Sequence, residues 1–383
     1  MKFGGATLGD AGGFQDMISI VQQKQSVPLL IIVSALGSTT RDLHTAALFA
    51  AEGSLEGAME ILEDVQNRHK LVLDNTLRGS EDVSSIALRL EKLFAELRTL
   101  IRSITVTRQL SNRTLDRVLA TGEDASRVVS AGVLQRAGLP VVEIDARSMI
   151  VTTSDHGSAE PLTEKSRVRL ESVLADLSVL ENRIIVTQGF VGATEDGHTT
   201  TMGSESSNLT ATLLAALLDA SEIIIWTDVQ GVRSIDPKFS DSSLVRSSLS
   251  YEQARCAASA GLKLLYPTMI APAESAGIPI RIASPRVPNG ESTIIDNHSH
   301  DGIPVIIAGK PEASTTRITV MFAELQQWLV AVSSLPVSNL ASVVTSLSYD
   351  SDLSSAAIIV ESHHTSTVIE HLHEQLCIKS HVV

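Results

Sequence analysis

Short apolar segments separated by helix-like stretches constrain the fold of this chain more than any other feature. The apolar segments are rich in Val and Ile and are five or six residues long, which favours strands over helices. They comprise residues 29–33, 140–144, 183–188, 222–226 and 279–283. Helix-period stretches such as 208–218 and 251–260 lie between them. Strands that alternate with helices predict an α/β fold around a mainly parallel sheet.

Two regions depart from this alternation. Residues 41–118 hold long helix-period stretches, and we expect a helical insertion there that acts as a lid within a catalytic domain of residues 1–296. Structure-breaking Pro and Gly residues follow at 285–290, and residues 303–383 then form a predicted small α+β module. Its expected strands are IPVIIA, RITVMF, WLVAV and AAIIVES, and its expected helix is STVIEHLHEQLC.

Composition and charge limit the classes of function. The chain has 383 residues with 43% hydrophobic content, which is enough for a sizeable core, and a formal net charge of −14, which argues against a general nucleic-acid surface. Two cysteines do not suggest a disulfide framework. No apolar run reaches membrane-spanning length and no signal peptide opens the sequence, so we expect a cytoplasmic protein without a membrane partner.

Five histidines near the C-terminus raise the question of a metal site. They are His363, His364, His371, His373 and His381. His371 and His373 are two positions apart and therefore point in different directions on a helix, so we do not expect them to share a metal ion.

The sequence KFGG at residues 2–5 combines a lysine with two adjacent glycines. Glycines let the backbone approach a ligand closely, and Lys2 places a cation beside Gly4 and Gly5, as a phosphate site requires. An ordinary turn is the alternative for so short a motif.

Hydroxyl and carboxyl side chains at two further places in the sequence are candidates for ligand binding. Ser34 to Thr40 end the strand of residues 29–33, where they could hold a phosphate or carboxylate, or simply cap the next helix. Glu123 follows Gly122 at the expected start of a helix, where it could bind an ammonium group or stabilise the first helical turn. The spacing alone favours the second role for Glu123.

A hydroxyl-rich segment precedes the helix-period stretch 208–218. Thr199 to Ser207 place many hydroxyls and free N–H groups at one helix N-terminus, which suits an anion.

Thr227 and Asp228 follow the strand at 222–226, where they could contact a nucleotide or its metal. Lys263 is a solvated residue by default. Neither GxxxxGK[ST] nor GxGxxG occurs, so a P-loop or Rossmann site is not supported.

The order of these motifs resembles that of aspartate kinases in the amino-acid kinase family over residues 1–296. The matching segments are KFGGATL, VSALGSTT, TGED, TQGFVGATEDGHTTTMG, EIIIWTDVQGVRSIDP, GLKLLYPTMIAPAESAGIPIRI and ESTII. The resemblance implies a three-layer α/β sandwich and the conversion of L-aspartate and MgATP into 4-phospho-L-aspartate and ADP. That reaction opens the route to lysine, methionine and threonine.

The resemblance also implies roles for individual residues. Lys2 and Asn208 correspond to catalytic positions. The ATP-binding positions are Gly4, Gly5, Thr227, Asp228, Arg233, Lys238 and Lys263. The substrate positions are Ser34, Thr40, Glu123, Phe190, Ser204 and Ser207. The cofactors implied are ATP and Mg²⁺, with the metal held mainly by the ATP phosphates.

The sequence departs from the family pattern at the substrate loop and at both ends. TTMGSESSN replaces the usual TTLGRGGSD, so Ser204 stands where the family has an arginine and Asn208 where it has an aspartate. Arg233 and Lys238 replace a tyrosine and an arginine. The first strand is nearly absent before Lys2. Residues 303–383 suffice for a single degenerate ACT-like module, which we expect to form a homodimer.

These departures leave a second hypothesis open. The chain could be a non-catalytic or altered-specificity homologue that binds nucleotide or amino acid and regulates a partner. Ser204 and Asn208 favour that hypothesis. The retained Lys2, Glu123 and Asp228 favour an active kinase.

Overall fold

The computed structural model describes residues 1–77, 83–176, 183–262, 264–297, 303–309, 314–336, 343–351 and 355–379. The chain divides into two compact units. Unit 1 comprises Met1–Asp228 and Ser284–Pro288, and unit 2 comprises Val229–Ala283 and Asn289–Val383. Domain boundaries near residues 296 and 303 remain a prediction.

Unit 1 is built around a parallel sheet. Its strands are β1 (Lys2–Phe3), β2 (Leu29–Val33), β3 (Val141–Glu143), β4 (Ile184–Gln188), β5 (Val191–Ala193), β6 (Thr199–Thr201) and β7 (Ile223–Trp226). The sheet has the order β3-β4-β2-β1-β7, and every pairing in it is parallel. β5 and β6 form a separate antiparallel hairpin. The strand predictions at 29–33, 140–144, 183–188 and 222–226 are confirmed.

The short first strand lies inside the sheet. Lys2 pairs with Ile32 of β2 and with Ile225 of β7. The sequence suggested that this strand was nearly absent, but its two residues are paired with a neighbouring strand on each side. The parallel arrangement places the carboxyl ends of β1, β2 and β7 together, where ligands of open α/β sheets bind.

Helices pack around this sheet. They are α1 (Ala11–Lys24), α2 (Thr39–Ala51), α3 (Leu55–Thr76), α4 (Val83–Thr107), α5 (Asn112–Arg136), α6 (Thr163–Asp176) and α7 (Ser206–Leu217). α2, α3, α4 and the start of α5 occupy the region predicted to be helical. Buried apolar residues recur every three or four positions along α4, from Ile86 to Ile104, as one apolar face requires. α5 contacts β3 and β4, and α7 contacts β1, β2 and β7.

Unit 2 contains three strands with both parallel and antiparallel pairings, and a separate four-stranded sheet. β8 (Ser248–Ser250), β9 (Ile280–Ala283) and β10 (Ser292–Asp296) have the order β9-β10-β8. The helices beside them are α8 (Tyr251–Ser259), which begins with a capping box formed by Ser250 and Gln253, and α9 (Pro267–Ala276).

The second sheet of unit 2 is antiparallel and has the order β11-β12-β14-β13. Its strands are β11 (Val305–Ala308), β12 (Thr315–Met321), β13 (Val344–Asp350) and β14 (Ser355–Glu361). Helices α10 (Leu325–Ser333) and α11 (Thr365–His373) contribute Trp328 and Leu372 to a core shared with Ile318, Val320 and Ile358 of the sheet. Four strands and two helices agree with the predicted small α+β module.

The WLVAV segment was predicted as a strand, and that prediction was wrong. Residues 328–332 lie within α10. Trp328, Ala331 and Val332 are buried while Leu329 and Val330 are exposed, a spacing of three and four that matches a helix. Burial of one helical face has overridden the strand preference of the two valines.

None of the described helices combines the length and the apolar composition that crossing a bilayer requires.

Candidate active site

A cavity of about 600 Å³ opens in unit 1 beside the ends of β1, β2 and β7. Most of the residues that the sequence proposed for a site line it together. These are Lys2, Gly4, Gly5, Ser34, Thr40, Glu123, Phe190, Ser204, Ser207, Thr227 and Asp228. Segments that are far apart in the sequence therefore meet at one place, where the carboxyl ends of the parallel strands β1, β2 and β7 lie together.

Lys2 places a buried cation in the wall of the cavity. Its exposed fraction is 7%, and its ammonium group has no hydrogen bond or ion pair with any described residue. Burial lowers the pKa of Lys2 below its ordinary value, while the carboxylates of Glu205 and Glu123 act in the opposite direction. A buried cation without a direct partner is costly, and an anion in the cavity would offset that cost.

The KFGG turn leaves room for an anion beside Lys2. A Cβ atom on Gly4 would lie 3.6 Å from the Lys2 Nζ atom and 3.8 Å from the Thr7 Oγ1 atom. The Thr7 hydroxyl is itself buried without a hydrogen-bond partner among the described residues. The Lys2 ammonium group and the Thr7 hydroxyl, both without a partner among the described residues, thus face the same space beside Gly4.

Gly5 is required for a close approach between two backbone turns. A Cβ atom there would lie 2.2 Å from the Ala35 carbonyl oxygen. The Gly37 N–H group donates to the Gly5 carbonyl oxygen at 2.9 Å, which joins the turn after β1 to the turn after β2. The second glycine of the motif therefore serves the assembly of the cavity.

Glu123 is the buried carboxyl group of the cavity. Its exposed fraction is 3%, and its Oε2 atom accepts a hydrogen bond from the Ala35 N–H group at 2.9 Å. Burial raises the pKa of Glu123 to about 8, although the Ala35 N–H group and Lys2 favour the charged form. An ammonium group placed beside it would stabilise the carboxylate and lower that pKa.

The favoured sequence interpretation of Glu123 as a first-turn residue was wrong. Helix α5 begins at Asn112, so Glu123 lies in the middle of the helix. Gly122 lets α5 approach α2, because a Cβ atom on it would lie 2.7 Å from the Thr39 Cγ2 atom. The Gly-Glu pair marks a close helix contact, and the helix begins well upstream of it, where the Ser111 side chain caps α5.

The N-terminus of α7 forms another part of the wall. The Ser206 hydroxyl donates to the Gly203 carbonyl oxygen at 2.8 Å, whereas the Ser207 hydroxyl has no partner among the described residues. Glu205 precedes the helix with a φ of 61°, and Phe190, also on the wall, has a φ of 67°. Left-handed backbone at non-glycine residues costs on the order of 1–3 kcal/mol and is concentrated at functional sites.

Asn208 is not part of the cavity wall. It lies in the first turn of α7 with an exposed fraction of 5%, and its Oδ1 atom has no hydrogen-bond partner among the described residues. The structure therefore places this predicted catalytic residue behind the wall that Ser204 and Ser207 form.

The predicted ATP-binding residues fall into three groups. Gly4, Gly5, Thr227 and Asp228 line the cavity. The Thr227 hydroxyl donates to the Asp228 Oδ1 atom at 3.0 Å. Arg233 and Lys238 belong to unit 2, where Arg233 donates to the Ser243 carbonyl oxygen at 2.6 Å and Lys238 pairs with Asp236 at 2.9 Å. Lys263 lies outside the described residues.

Sequence reasoning assigned no role to two polar residues of the cavity wall, namely Thr7 and Arg41. Thr7 follows the KFGG motif and Arg41 follows Thr40, so each is a direct neighbour in sequence of a motif that was recognised. Arg41 carried no signal of its own, because an arginine near a helix start is usually a solvated residue.

The histidines are divided among different environments in unit 2. His371 contacts the Ala331 carbonyl oxygen, and His373 contacts the Ser234 hydroxyl. His363, His364 and Glu361 have potential ligand atoms within 4.8 Å of one another, at the start of α11. The partial positive charge of that helix end disfavours a cation there. His381 lies outside the described residues.

A larger cavity of about 720 Å³ lies in unit 2, and its charged lining side chains, Arg255, Arg317 and Asp350, are all exposed. Cys256 also lines it. Burial raises the pKa of the Cys256 thiol, so the reactive thiolate is disfavoured. The cavity of unit 1 is therefore the stronger candidate for catalysis.

Comparison with known proteins agrees with the geometry. The model of the amino acid kinase family matches residues 1–284. The bifunctional aspartokinase/homoserine dehydrogenase 1 of Arabidopsis thaliana is 29% identical over 73% of this chain and 30% of its own length. The lysine-sensitive aspartokinase 3 of Escherichia coli K12 is 28% identical over 78% of this chain and 64% of its own length. The chain thus spans less than two thirds of these curated relatives.

A solved structure shows the same fold. The crystal structure of E. coli aspartokinase III in complex with aspartate and ADP aligns with a TM-score of 0.81 at 20% identity and covers 98% of each chain. This likeness confirms the predicted α/β class with its additional C-terminal sheet, and the relatives confirm the resemblance to aspartate kinases.

Proposed function

Since the chain belongs to the amino acid kinase family, we propose that it phosphorylates the side-chain carboxylate of L-aspartate with MgATP. The carboxylate oxygen bonds to the γ-phosphorus, the bond from that phosphorus to the β,γ-bridging oxygen breaks, and ADP leaves with the bond's electrons. The products are 4-phospho-L-aspartate and ADP. The observation that carries the proposal is the buried, unpaired ammonium of Lys2 in a cavity that also holds Glu123.

The cavity residues suit the positioning and charge stabilisation that phosphoryl transfer requires. Lys2 faces the space beside Gly4 and would bind the transferring phosphoryl group. The N-terminal turn of α7, with the Ser207 hydroxyl, would bind further phosphate oxygens. Glu123 would hold the α-ammonium group of the acceptor. The acceptor carboxylate is ionised at neutral pH, so the reaction needs no strong general base.

The residues present are compatible with Mg²⁺. The ion prefers oxygen ligands and in kinases is bound largely through substrate phosphates. Asp228 offers an exposed carboxylate on the cavity wall, and we assign it to the metal or its water ligands. Bound Mg²⁺ would neutralise phosphate charge as the leaving group departs.

The direct test is acceptor-dependent release of ADP from MgATP. We expect turnover with L-aspartate and little with L-glutamate or without an acceptor. Lys2 and Glu123 have fixed positions, so the site should suit the carbon chain of aspartate better than the longer chain of glutamate. Detection of the acyl phosphate with hydroxylamine identifies the product. A bacterial strain that lacks its own aspartokinases can be made to express this protein. Growth of that strain without added lysine, methionine and threonine would show that the product enters the cytoplasmic route to these amino acids. Equal ADP release with and without acceptor would contradict the proposal.

A second candidate function rests on the variant α7 loop. Ser204 supplies no charge for a substrate carboxylate, and Asn208 is buried without a partner for its Oδ1 atom. These features would suit a homologue that binds nucleotide or amino acid and regulates a partner. Nucleotide binding by calorimetry without turnover on any small carboxylate would favour this function over catalysis.

We further propose that the chain forms a homodimer through its C-terminal module. β13 is an edge strand of the four-stranded sheet, and its Leu347 is 47% exposed. Edge strands offer unpaired backbone groups to a second sheet. Sedimentation velocity should give twice the chain mass, and Leu347→Glu should shift the protein towards monomer, while Leu88→Glu on α4 should not. A monomeric wild-type protein at micromolar concentration would overturn this proposal.

A further inference from the structure

We propose that Arg41 binds the α-carboxylate of the acceptor and so sets the specificity of the cavity for amino dicarboxylates. This inference rests on the proposed function, because it concerns the same cavity and the same reaction. An amino dicarboxylate carries one cationic and two anionic groups. Glu123 suits its ammonium group and Lys2 lies where the reacting carboxylate meets the phosphoryl group, so the second carboxylate still needs a cation.

Within the described residues, Lys2 and Arg41 are the two lysine or arginine side chains on the cavity wall. Lys2 is buried at the position of the transferring group, which leaves Arg41 for the second carboxylate. Its guanidinium can donate two parallel hydrogen bonds to a carboxylate, and a charged pair of this kind is stronger than a neutral hydrogen bond.

The surroundings of Arg41 leave its side chain available. It is exposed, and its guanidinium has no hydrogen bond or ion pair with any described residue. The neighbouring Asp42 instead accepts hydrogen bonds from Arg68 at 2.8 Å and from the Ser38 hydroxyl at 2.7 Å. The nearest carboxylate in sequence is therefore already paired, and the Arg41 cation remains free for a ligand.

The position of Arg41 in its helix also points to an anion. Arg41 is the third residue of α2, where the partial positive charge of the helix end disfavours a cation. An arginine in this first turn has a physical reason if its guanidinium and the N–H groups of the turn bind the same anion. Thr40 precedes Arg41 on the cavity wall and adds a hydroxyl donor.

The other charged side chains among the described residues of the wall are carboxylates. Glu205 at the start of α7, Glu123 on α5 and Asp228 after β7 would repel an anionic group placed near them, unless Mg²⁺ or an ammonium group intervenes. The acceptor is thus oriented with its ammonium towards Glu123 and its α-carboxylate towards α2. A substrate without the α-carboxylate would lose the contact with Arg41 and keep the others.

The test compares L-aspartate with β-alanine, which lacks only the α-carboxylate. For Arg41→Ala we expect the KM for L-aspartate to rise about 10- to 100-fold, as loss of a charged hydrogen-bonded pair implies. The KM for ATP and the turnover of β-alanine should change less than about twofold. Arg41→Lys keeps the charge but not the paired donors, so its KM for L-aspartate should lie between those of the wild type and Arg41→Ala. Arg102→Ala, an exposed arginine on α4 outside the cavity wall, is the matched control.

Calorimetric binding of L-aspartate separates this inference from the proposed function. Weaker L-aspartate binding by Arg41→Ala supports the inference whether or not the wild type turns over. An unchanged KM and dissociation constant for L-aspartate overturn it while the kinase function stands. A rise confined to the KM for ATP would assign Arg41 to the nucleotide and overturn it too. A wild type that neither binds nor phosphorylates L-aspartate overturns both.

Discussion

Replacement of Lys2 by methionine should lower kcat for acceptor-dependent ADP release about a thousandfold, comparable to the loss of a preorganised donor or charge in other active sites. Lys2 is the buried cation of the cavity, and Gly4 leaves the space beside its Nζ atom open. The charge that develops on the phosphoryl oxygens would lose this stabilisation in the variant. Steady-state kinetics with saturating MgATP and L-aspartate would measure the change.

The same substitution should not destabilise the fold. Burial lowers the pKa of Lys2, which shows that the charged form is disfavoured in this environment, and methionine fills a similar volume without a charge. We therefore expect Lys2→Met to melt at or above the wild-type temperature. Lys24→Met, which removes an exposed lysine at the end of α1, is the control and should keep full activity. Retention of more than about a tenth of the activity by Lys2→Met would show that the phosphate site lies elsewhere.

Strand periodicity was sufficient to predict most of the sheet of unit 1. The segments at 29–33 and 223–226 are apolar throughout because helices cover both faces of a parallel sheet, and this pattern is visible without coordinates. The strand prediction for WLVAV was wrong because a short apolar run fits a strand or a buried helix equally well. Tertiary packing, which placed Trp328 in the core and Leu329 in solvent, decided between them.

The candidate site was predictable where a motif carried its own chemistry. Lys2, Gly4 and Gly5 could be recognised from the combination of a cation with flexible backbone. The role of Arg41 could not, because it depends on which wall of the cavity lacks a cation and on the fact that Arg68 pairs with Asp42. These are relations between residues far apart in the sequence, and they appear only when the chain is folded.

Glu123→Gln should weaken catalysis and stabilise the protein at the same time. The variant loses the negative charge that would hold the α-ammonium group, so we expect kcat/KM for L-aspartate to fall about 100-fold. It also removes a carboxyl group whose pKa is raised from 4.5 to about 8 by burial. Because the folded wild type holds this proton more tightly than the unfolded chain does, the wild type loses stability as pH rises from about 4.5 to about 8.

The stability difference between variant and wild type therefore depends on pH in a defined direction. Near pH 5 the carboxyl group is largely protonated in the folded wild type, and the two proteins should differ little. At pH 8.5 the wild type carries a buried charge, and Glu123→Gln should be the more stable, by about 5 kcal/mol at most. Urea unfolding at both pH values measures the difference, with Glu60→Gln on the exposed side of α3 as the control. If the advantage of Glu123→Gln did not grow with pH, Glu123 would be ionised in the folded protein and could not release a proton when the ammonium group binds.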